Sequence, residues 1–138
     1  MRLVLDTDVV VAGMRSPSGA SAAILRCVRQ EKAVILLTVS LTLEYQAVCP
    51  ADHRLAAGLS QRQVDIFVNA VIAMAGPVET HFLWRPQLRG SNDEMVLEAA
   101  VNGRADALVT FNLRDFGLAP ARFGVELLLP KYAIGRMR

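Results

Sequence analysis

Four short acidic stretches stand at the edges of apolar runs: Leu5-Asp6-Thr7-Asp8, Leu43-Glu44-Tyr45, Asn92-Asp93-Glu94 and Asn112-Leu113-Arg114-Asp115-Phe116. Carboxylates placed where strands end or helices begin can converge in space although they lie far apart along the chain. Two carboxylates about 4 Å apart repel by roughly 4 kcal/mol at an effective dielectric of about 20. A gathered set must therefore take up protons or bind a cation, and the cation is the outcome with a catalytic use. Magnesium is a hard ion, held by one or two carboxylates together with substrate phosphates. Three or four acids around one or two such ions suit phosphodiester hydrolysis, because the ion activates water and stabilises the leaving oxygen.

Each acid taken singly also has an ordinary structural reading. Asp6-Thr7-Asp8 suits a turn or a helix cap. Glu44 suits a solvated helix face. Asp93-Glu94 suits the first turn of a helix, where the macrodipole favours negative charge, and Asp115 suits a local pair with Arg114 or a nearby amide. The case for chemistry lies in the set.

The elements that must position the set can be read from apolar periodicity. Arg2 to Asp6 is a buried strand ending at an acid, and Val9-Val10-Val11 continues its apolar character until Ser16-Pro17-Ser18-Gly19 interrupts it. Ala20 to Gln30 has helical spacing, and Val34 to Thr38 is a second strand. Ser40 is the expected N-cap of a helix carrying Glu44, and Ser60 that of an amphipathic helix from Gln61 to Ala75, whose stripe of Val64, Phe67, Val68, Val71 and Ile72 is core or a partner-facing surface. Gly76-Pro77 ends that helix. Val78 to Leu83 reads as a third strand, Trp84 to Ser91 as a loop, and Asp93 to Asn102 as a helix stopped by Gly103. Ala107 to Thr110 and Val125 to Leu129 complete the strands, and Pro130 to Met137 forms a closing helix. Strands alternating with helices imply an α/β domain with a parallel sheet covered on both faces. Ligands of such sheets bind beyond the carboxyl ends of the strands, where the strand order reverses, and Asp6, Asn112 and Asp115 follow strands.

The 138 residues suffice for one domain, 1–138, and not for two. With 53% hydrophobic and 20% charged residues the chain is neither disordered nor a polyelectrolyte. No apolar run reaches the roughly 20 residues of a membrane span, and the N-terminus meets Asp6 too early for a signal peptide. The expectation is a cytoplasmic protein. Cys27 and Cys49 lack a metal-ligand or redox spacing and read as buried small hydrophobes. The net charge of +2 permits a polyanionic partner without demanding one. Arg85, Arg89, Arg104, Arg114, Arg136 and Arg138 fall in turns and termini, where they could rim a negative pit or stand in solvent. His53 and His81 belong to no triad, and Trp84 and Tyr45 suit packing better than base stacking. The glycines form no phosphate-binding loop.

Taken in order, Leu-Asp-Thr-Asp-Val at the N-terminus, a helical Glu-Tyr, Asn-Asp-Glu-Met-Val-Leu-Glu-Ala-Ala, and Ala-Asp-Ala-Leu-Val-Thr-Phe-Asn-Leu-Arg-Asp-Phe resemble a PIN domain. More narrowly they resemble the VapC-like ribonucleases, toxin components of bacterial toxin–antitoxin systems. The resemblance covers nearly the whole chain and is weakest from Cys49 to Trp84. It implies a Rossmann-like three-layer α/β/α fold with a central parallel sheet, a Mg²⁺- or Mn²⁺-dependent ribonuclease activity, a cognate antitoxin and a homodimer. Position by position it makes Asp6, Glu44, Asp93 and Asp115 the four acids of the site. Asp6, Asp93 and Asp115 would hold the ion, while Glu44 would assist a second ion or orient the attacking water. Thr110 and Asn112 match positions lining the same pocket. Asp106 matches a recurring residue that, at a strand start, reads as structural.

Two points depart from the pattern or stay open. Asp8 stands where the family often has Asn, so it either adds an acid to the site or replaces an amide that ordered the loop. Glu94 adjoins Asp93, and the sequence leaves open which faces the ion. Two other functions fit the same residues: a PIN-like module that binds RNA or protein with little nuclease activity, and a metal-dependent phosphatase using Asp6 as nucleophile and Asp8 as the second acid.

Overall fold

The computed structural model describes residues 1–51 (at 50 and 51 the backbone alone), 58–81 and 87–137. The expectations for His53, Trp84, Arg85 and Arg138 lie outside the described residues. Five strands, β1 (Arg2–Leu5), β2 (Val34–Leu37), β3 (Gly76–Pro77), β4 (Ala107–Val109) and β5 (Glu126–Leu128), form one sheet in the order β3-β2-β1-β4-β5. Every pairing is parallel, with Leu3 opposite both Ile35 and Ala107, and Val109 opposite Leu128. Helices α1 (Thr7–Arg15), α2 (Ala20–Arg29), α3 (Val39–Ala51), α4 (Gln61–Met74), α5 (Ser91–Asn102), α6 (Leu113–Phe116), α7 (Ala119–Arg122) and α8 (Pro130–Met137) flank it. The α/β expectation with a central parallel sheet holds. Continuous burial of Leu3, Val4 and Leu5 on the middle strand is the mark of a sheet covered on both faces.

Several local expectations change. Val9-Val10-Val11 does not prolong the strand: it lies in α1, which starts when the Asp6 side chain accepts a hydrogen bond from Thr7 N at 2.8 Å. β-branched residues are poor helix formers, but all three valines are buried, so tertiary packing outweighs propensity. Ser40 is not the cap of α3. That role falls to Thr38, whose Oγ1 accepts from Leu41 N at 3.1 Å, leaving Ser40 in the first turn. Ser60 does cap α4, in a reciprocal arrangement with Gln63.

The third strand is displaced from the expected Val78 to Leu83 to Gly76–Pro77, with Val78 N still donating to Leu37 O at 2.9 Å. An edge strand accommodates proline because one side of its backbone needs no partner. Residues 78–81 continue without strand pairing, and Phe82 and Leu83 lie outside the described residues. Short helices α6 and α7 occupy a stretch with no legible period. Gly103 ends α5 as expected, although its φ of −84° is an ordinary one. The left-handed residue is Arg104, with φ 51°.

The strand order places a reversal at the β1–β4 pair. From β1 the chain steps outward through β2 to β3, then returns to the other side of β1 for β4 and β5. The carboxyl ends of β1 and β4 therefore lie at the topological switch point of the sheet, where the strand order reverses.

A carboxylate site at the end of the central strands

Asp6 and Thr110 emerge side by side at that switch point, as Asp6 N donates to Val109 O (2.9 Å) and Thr110 N to Leu128 O (3.0 Å). Both side chains are buried, Thr110 completely. Thr110 Oγ1 donates to Asp6 Oδ2 at 2.7 Å and accepts from Asn112 N at 3.0 Å. With Thr7 N on Oδ1, both oxygens of Asp6 are oriented by the ends of two different elements.

Asp8 lies in the first turn of α1 and leans over the same threonine. Its Oδ2 accepts from Phe111 N (3.1 Å) and Asn112 Nδ2 (3.2 Å) and stands 3.5 Å from Thr110 Oγ1. Asp8 thus orders the loop after β4, the work an amide would do. Its Oδ1 is buried and has no hydrogen-bond partner among the described residues. A carboxylate oxygen left dry in this way is expensive unless protonated or met by a cation.

Electrostatics joins the remaining acids to this pair. Burial raises the pKa of Asp6, against the hydrogen bonds from Thr110 and Thr7, and the charge of Asp115 raises it further. Burial first, and Asp6 second, push Asp8 up to about 6. Asp93 is raised by burial and then by Asp6, Asp115 and Glu94. Asp93 is the third residue of α5, whose N-cap is Gly90. A Cβ at position 90 would stand 2.9 Å from Asp93 Oδ2, so the missing side chain leaves the carboxylate its place.

Glu94 points to a different duty. Its Oε1 accepts from the backbone amides of Gln87 and Leu88, tying the preceding loop to α5. Glu44 is half-buried on α3 and makes no hydrogen bond or ion pair among the described residues. Its neighbour Tyr45 is fully buried, and its hydroxyl donates to Leu5 O, which packs α3 against the end of β1. Asp115 is exposed on α6, with its backbone turned by Asp115 N donating to Asn112 O at 3.1 Å. The structure thus gathers Asp6, Asp8, Thr110 and Asn112 by direct contact, and sets Asp93 and Asp115 near enough that the Asp115 charge is felt at both Asp6 and Asp93.

Sequence reasoning passed over Phe111 N and Gly90. The Gly-Ser-Asn-Asp run that places a glycine three residues before Asp93 was the available signal for the second. Elsewhere, His81 is exposed beside Glu79 (3.6 Å); Cys49 is buried as expected, Cys27 is only half-buried, and no disulfide joins them.

Among the described residues, none of Asp6, Asp8, Asp93 and Asp115 forms an ion pair. No group of three His, Cys, Asp or Glu side chains there is arranged to hold a metal ion as it stands. The donor set nevertheless suits a hard cation: its atoms are all oxygens, their charges are mutually unfavourable, and one buried oxygen lacks a partner. Magnesium takes only part of its shell from protein and completes it with water and phosphate, so a full protein cage is not required.

The sequence matches the family model described as PIN domain over residues 2–114. The chain belongs to the PIN domain family. The match includes Asp6, Asp8, Glu44, Asp93, Thr110 and Asn112, and stops just short of Asp115. Among solved structures, the fold is similar to a chain of the crystal structure of VapBC2 from Rickettsia felis bound to a DNA fragment from their promoter. The TM-score is 0.58 at 14% identity, covering 94% of this chain and 98% of that one. No curated protein matches the sequence. Among the described residues of this PIN domain, no helix is long and apolar enough to cross a membrane.

Proposed function

We propose that this PIN domain is a divalent-metal-dependent endoribonuclease of the VapC type, the toxin of a type II toxin–antitoxin pair acting in the cytoplasm. The observation that carries the reading is the buried Asp6, held by Thr7 N and Thr110 Oγ1 at the reversal of the sheet and within the field of Asp115 and Asp93. Asp6, Asp93 and Asp115 would hold Mg²⁺ or Mn²⁺. When bound, such an ion supplies charge neutralisation at the phosphate and an acidified water.

The chain's own residues do the positioning. Thr110 fixes the rotamer of Asp6 and, through Asn112 N, the start of the loop that carries Asp115. Asp8 holds that loop by Phe111 N and Asn112 Nδ2. Glu44, with no partner among the described residues, is available to orient the attacking water or a second ion. The similarity to a VapBC2 complex supports an antitoxin partner for this chain, and a homodimer is the accompanying expectation.

The binding-module reading draws on the outlying Glu44 and on the absence, among the described residues, of a three-ligand group. The phosphatase reading needs Asp8 to act as a free acid, whereas its Oδ2 is committed to Phe111 N and Asn112 Nδ2. Cleavage of a labelled single-stranded RNA by the purified chain, with Mg²⁺, Mn²⁺ or EDTA, separates them. Metal-dependent cutting that disappears in Asp6→Asn supports the nuclease. RNA binding that persists in Asp6→Asn without cutting by the wild type supports the module, and a phosphorylated Asp6 supports the phosphatase.

A further inference from the structure

One turn along α1 from Asp8, the molecule has a second concavity that none of the chemistry above uses. It encloses about 430 Å³, within the range of small-molecule sites, roughly 300–1,000 Å³. Among the described residues its wall includes Ala12, Gly19, Ser21, Phe111, Pro130 and Lys131. Asp8 and Ala12 are four residues apart on one helix and so lie on the same face, about 6 Å apart along the axis. Phe111 belongs to both places: its amide holds Asp8, and the residue, 48% exposed, lines the cavity.

We propose that this cavity receives the nucleobase adjoining the scissile phosphodiester; the inference rests on the ribonuclease reading and deepens it. A nucleobase is a flat apolar face with a polar edge, and the wall has that character. Phe111 is a large aromatic left half-exposed beside the carboxylates, a cost in water that base stacking removes. Ser21 is 3% exposed, and its hydroxyl has no hydrogen-bond partner among the described residues although it can both donate and accept.

The electrostatics of the rim agrees. The cavity lies between the N-termini of α2 and α8, and α2 begins at Gly19 with no side-chain cap. Two helix N-termini and Lys131 favour the phosphates on either side of the base. The acids at the switch point would repel those phosphates without a cation.

The test uses the isotope-labelled full chain and each of the four nucleoside 5′-monophosphates, titrated in EDTA and followed by NMR. The amide signals of Gly19, Ser21 and Phe111 should move saturably with at least one nucleotide. Phe111→Ala should weaken that binding roughly tenfold, the loss of one stacking contact. Ala12→Leu, which fills the wall from the helix side, should abolish it while leaving the thermal midpoint within a few degrees. A slot that fails shows no movement at these amides up to the solubility limit, or movement that Ala12→Leu leaves unchanged. A parallel digest of a random single-stranded RNA pool keeps the two readings apart. Cutting by the wild type with a base preference next to the break that Phe111→Ala flattens supports both. Cutting with the same preference in both proteins retains the nuclease and overturns the slot. Saturable binding at the slot without cutting retains the slot and overturns the nuclease.

Discussion

The β1–β4 strand pair carries an aspartate at each end, and the two are treated in opposite ways. At the amino end Asp106 sits in water and its Oδ2 accepts from Arg2 N at 2.7 Å, while the Arg2 guanidinium donates to Gly103 O at 2.7 Å. At the carboxyl end Asp6 is 9% exposed, and its company is Thr110, Asp8 and the charge of Asp115. One end therefore spends its carboxylate on closing the sheet. The other holds carboxylates together with no cationic side chain paired to them among the described residues, an arrangement that costs stability until something positive arrives. Two identical residues on one pair of strands differ because burial and neighbours, not residue type, decide whether a charge is structural or chemical.

The largest contrast should come from exchanging each aspartate for asparagine. Asp6→Asn should lower RNA cleavage by about a thousandfold, on the order of 4 kcal/mol of transition-state stabilisation. Asp106→Asn should leave the rate within about twofold and cost about 1 kcal/mol in urea unfolding through its weakened hydrogen bond to Arg2 N. Equal rate losses in the two variants would erase the distinction between the ends.

Stability against pH sharpens the same contrast. Burial, and next the charge of Asp6, push Asp8 in the folded protein up to about 6 from the ordinary carboxylate value of 3.8. The folded state thus binds the proton more tightly than the unfolded one. The stabilisation this gives is complete below the unfolded value and is lost as pH rises through about 6. Asp6 and Asp93 are raised and add the same sign. In EDTA the unfolding free energy should fall between about pH 4 and 6. Asp8→Asn should reduce that fall and gain about 1–3 kcal/mol at neutral pH. Mg²⁺ at about a hundred times its Kd should restore about 2.7 kcal/mol to the wild type and markedly less to Asp6→Asn. A flat profile in denaturant melts would mean the carboxylates are not crowded in solution.

A subtler change leaves every charge in place. Gly90→Ala keeps a compatible φ of −91° but puts a methyl 2.9 Å from Asp93 Oδ2. Cleavage should fall about tenfold with the unfolding midpoint nearly unchanged, since roughly an ångström of misplacement is enough for such a loss. The smallest effect lies at the structural end. Arg104 adopts a left-handed φ of 51° next to Gly103, and Arg104→Gly should add about 0.5–1 kcal/mol in thermal unfolding without touching the rate.

The acids were legible because polar residues breaking apolar runs mark element ends; β1 and β2 were legible as short continuous apolar runs, α4 by the period of its apolar face, and α5 by its acidic first turn and its stop at Gly103. The α1 helix was not, since a triple valine reads as strand until the packing around it is known. The third strand was misplaced because an edge strand of two residues leaves almost no periodic signal. Ser40 and Thr38 are both good caps, and only the chain path selects between them.

Composition, order and spacing thus determined an α/β domain with acids near the ends of its elements, and the resemblance of its acidic motifs pointed to the PIN family. The tertiary structure alone decided which acids meet. It paired Asp6 with Thr110 across 104 residues, turned Asp8 toward the loop amides, gave Glu94 to the backbone of Gln87 and Leu88, and left Glu44 outside the hydrogen-bonded group. Local sequence sets where a side chain leaves the backbone. Its charge state and partners depend on burial and on residues brought near by the sheet order, and neither quantity is local.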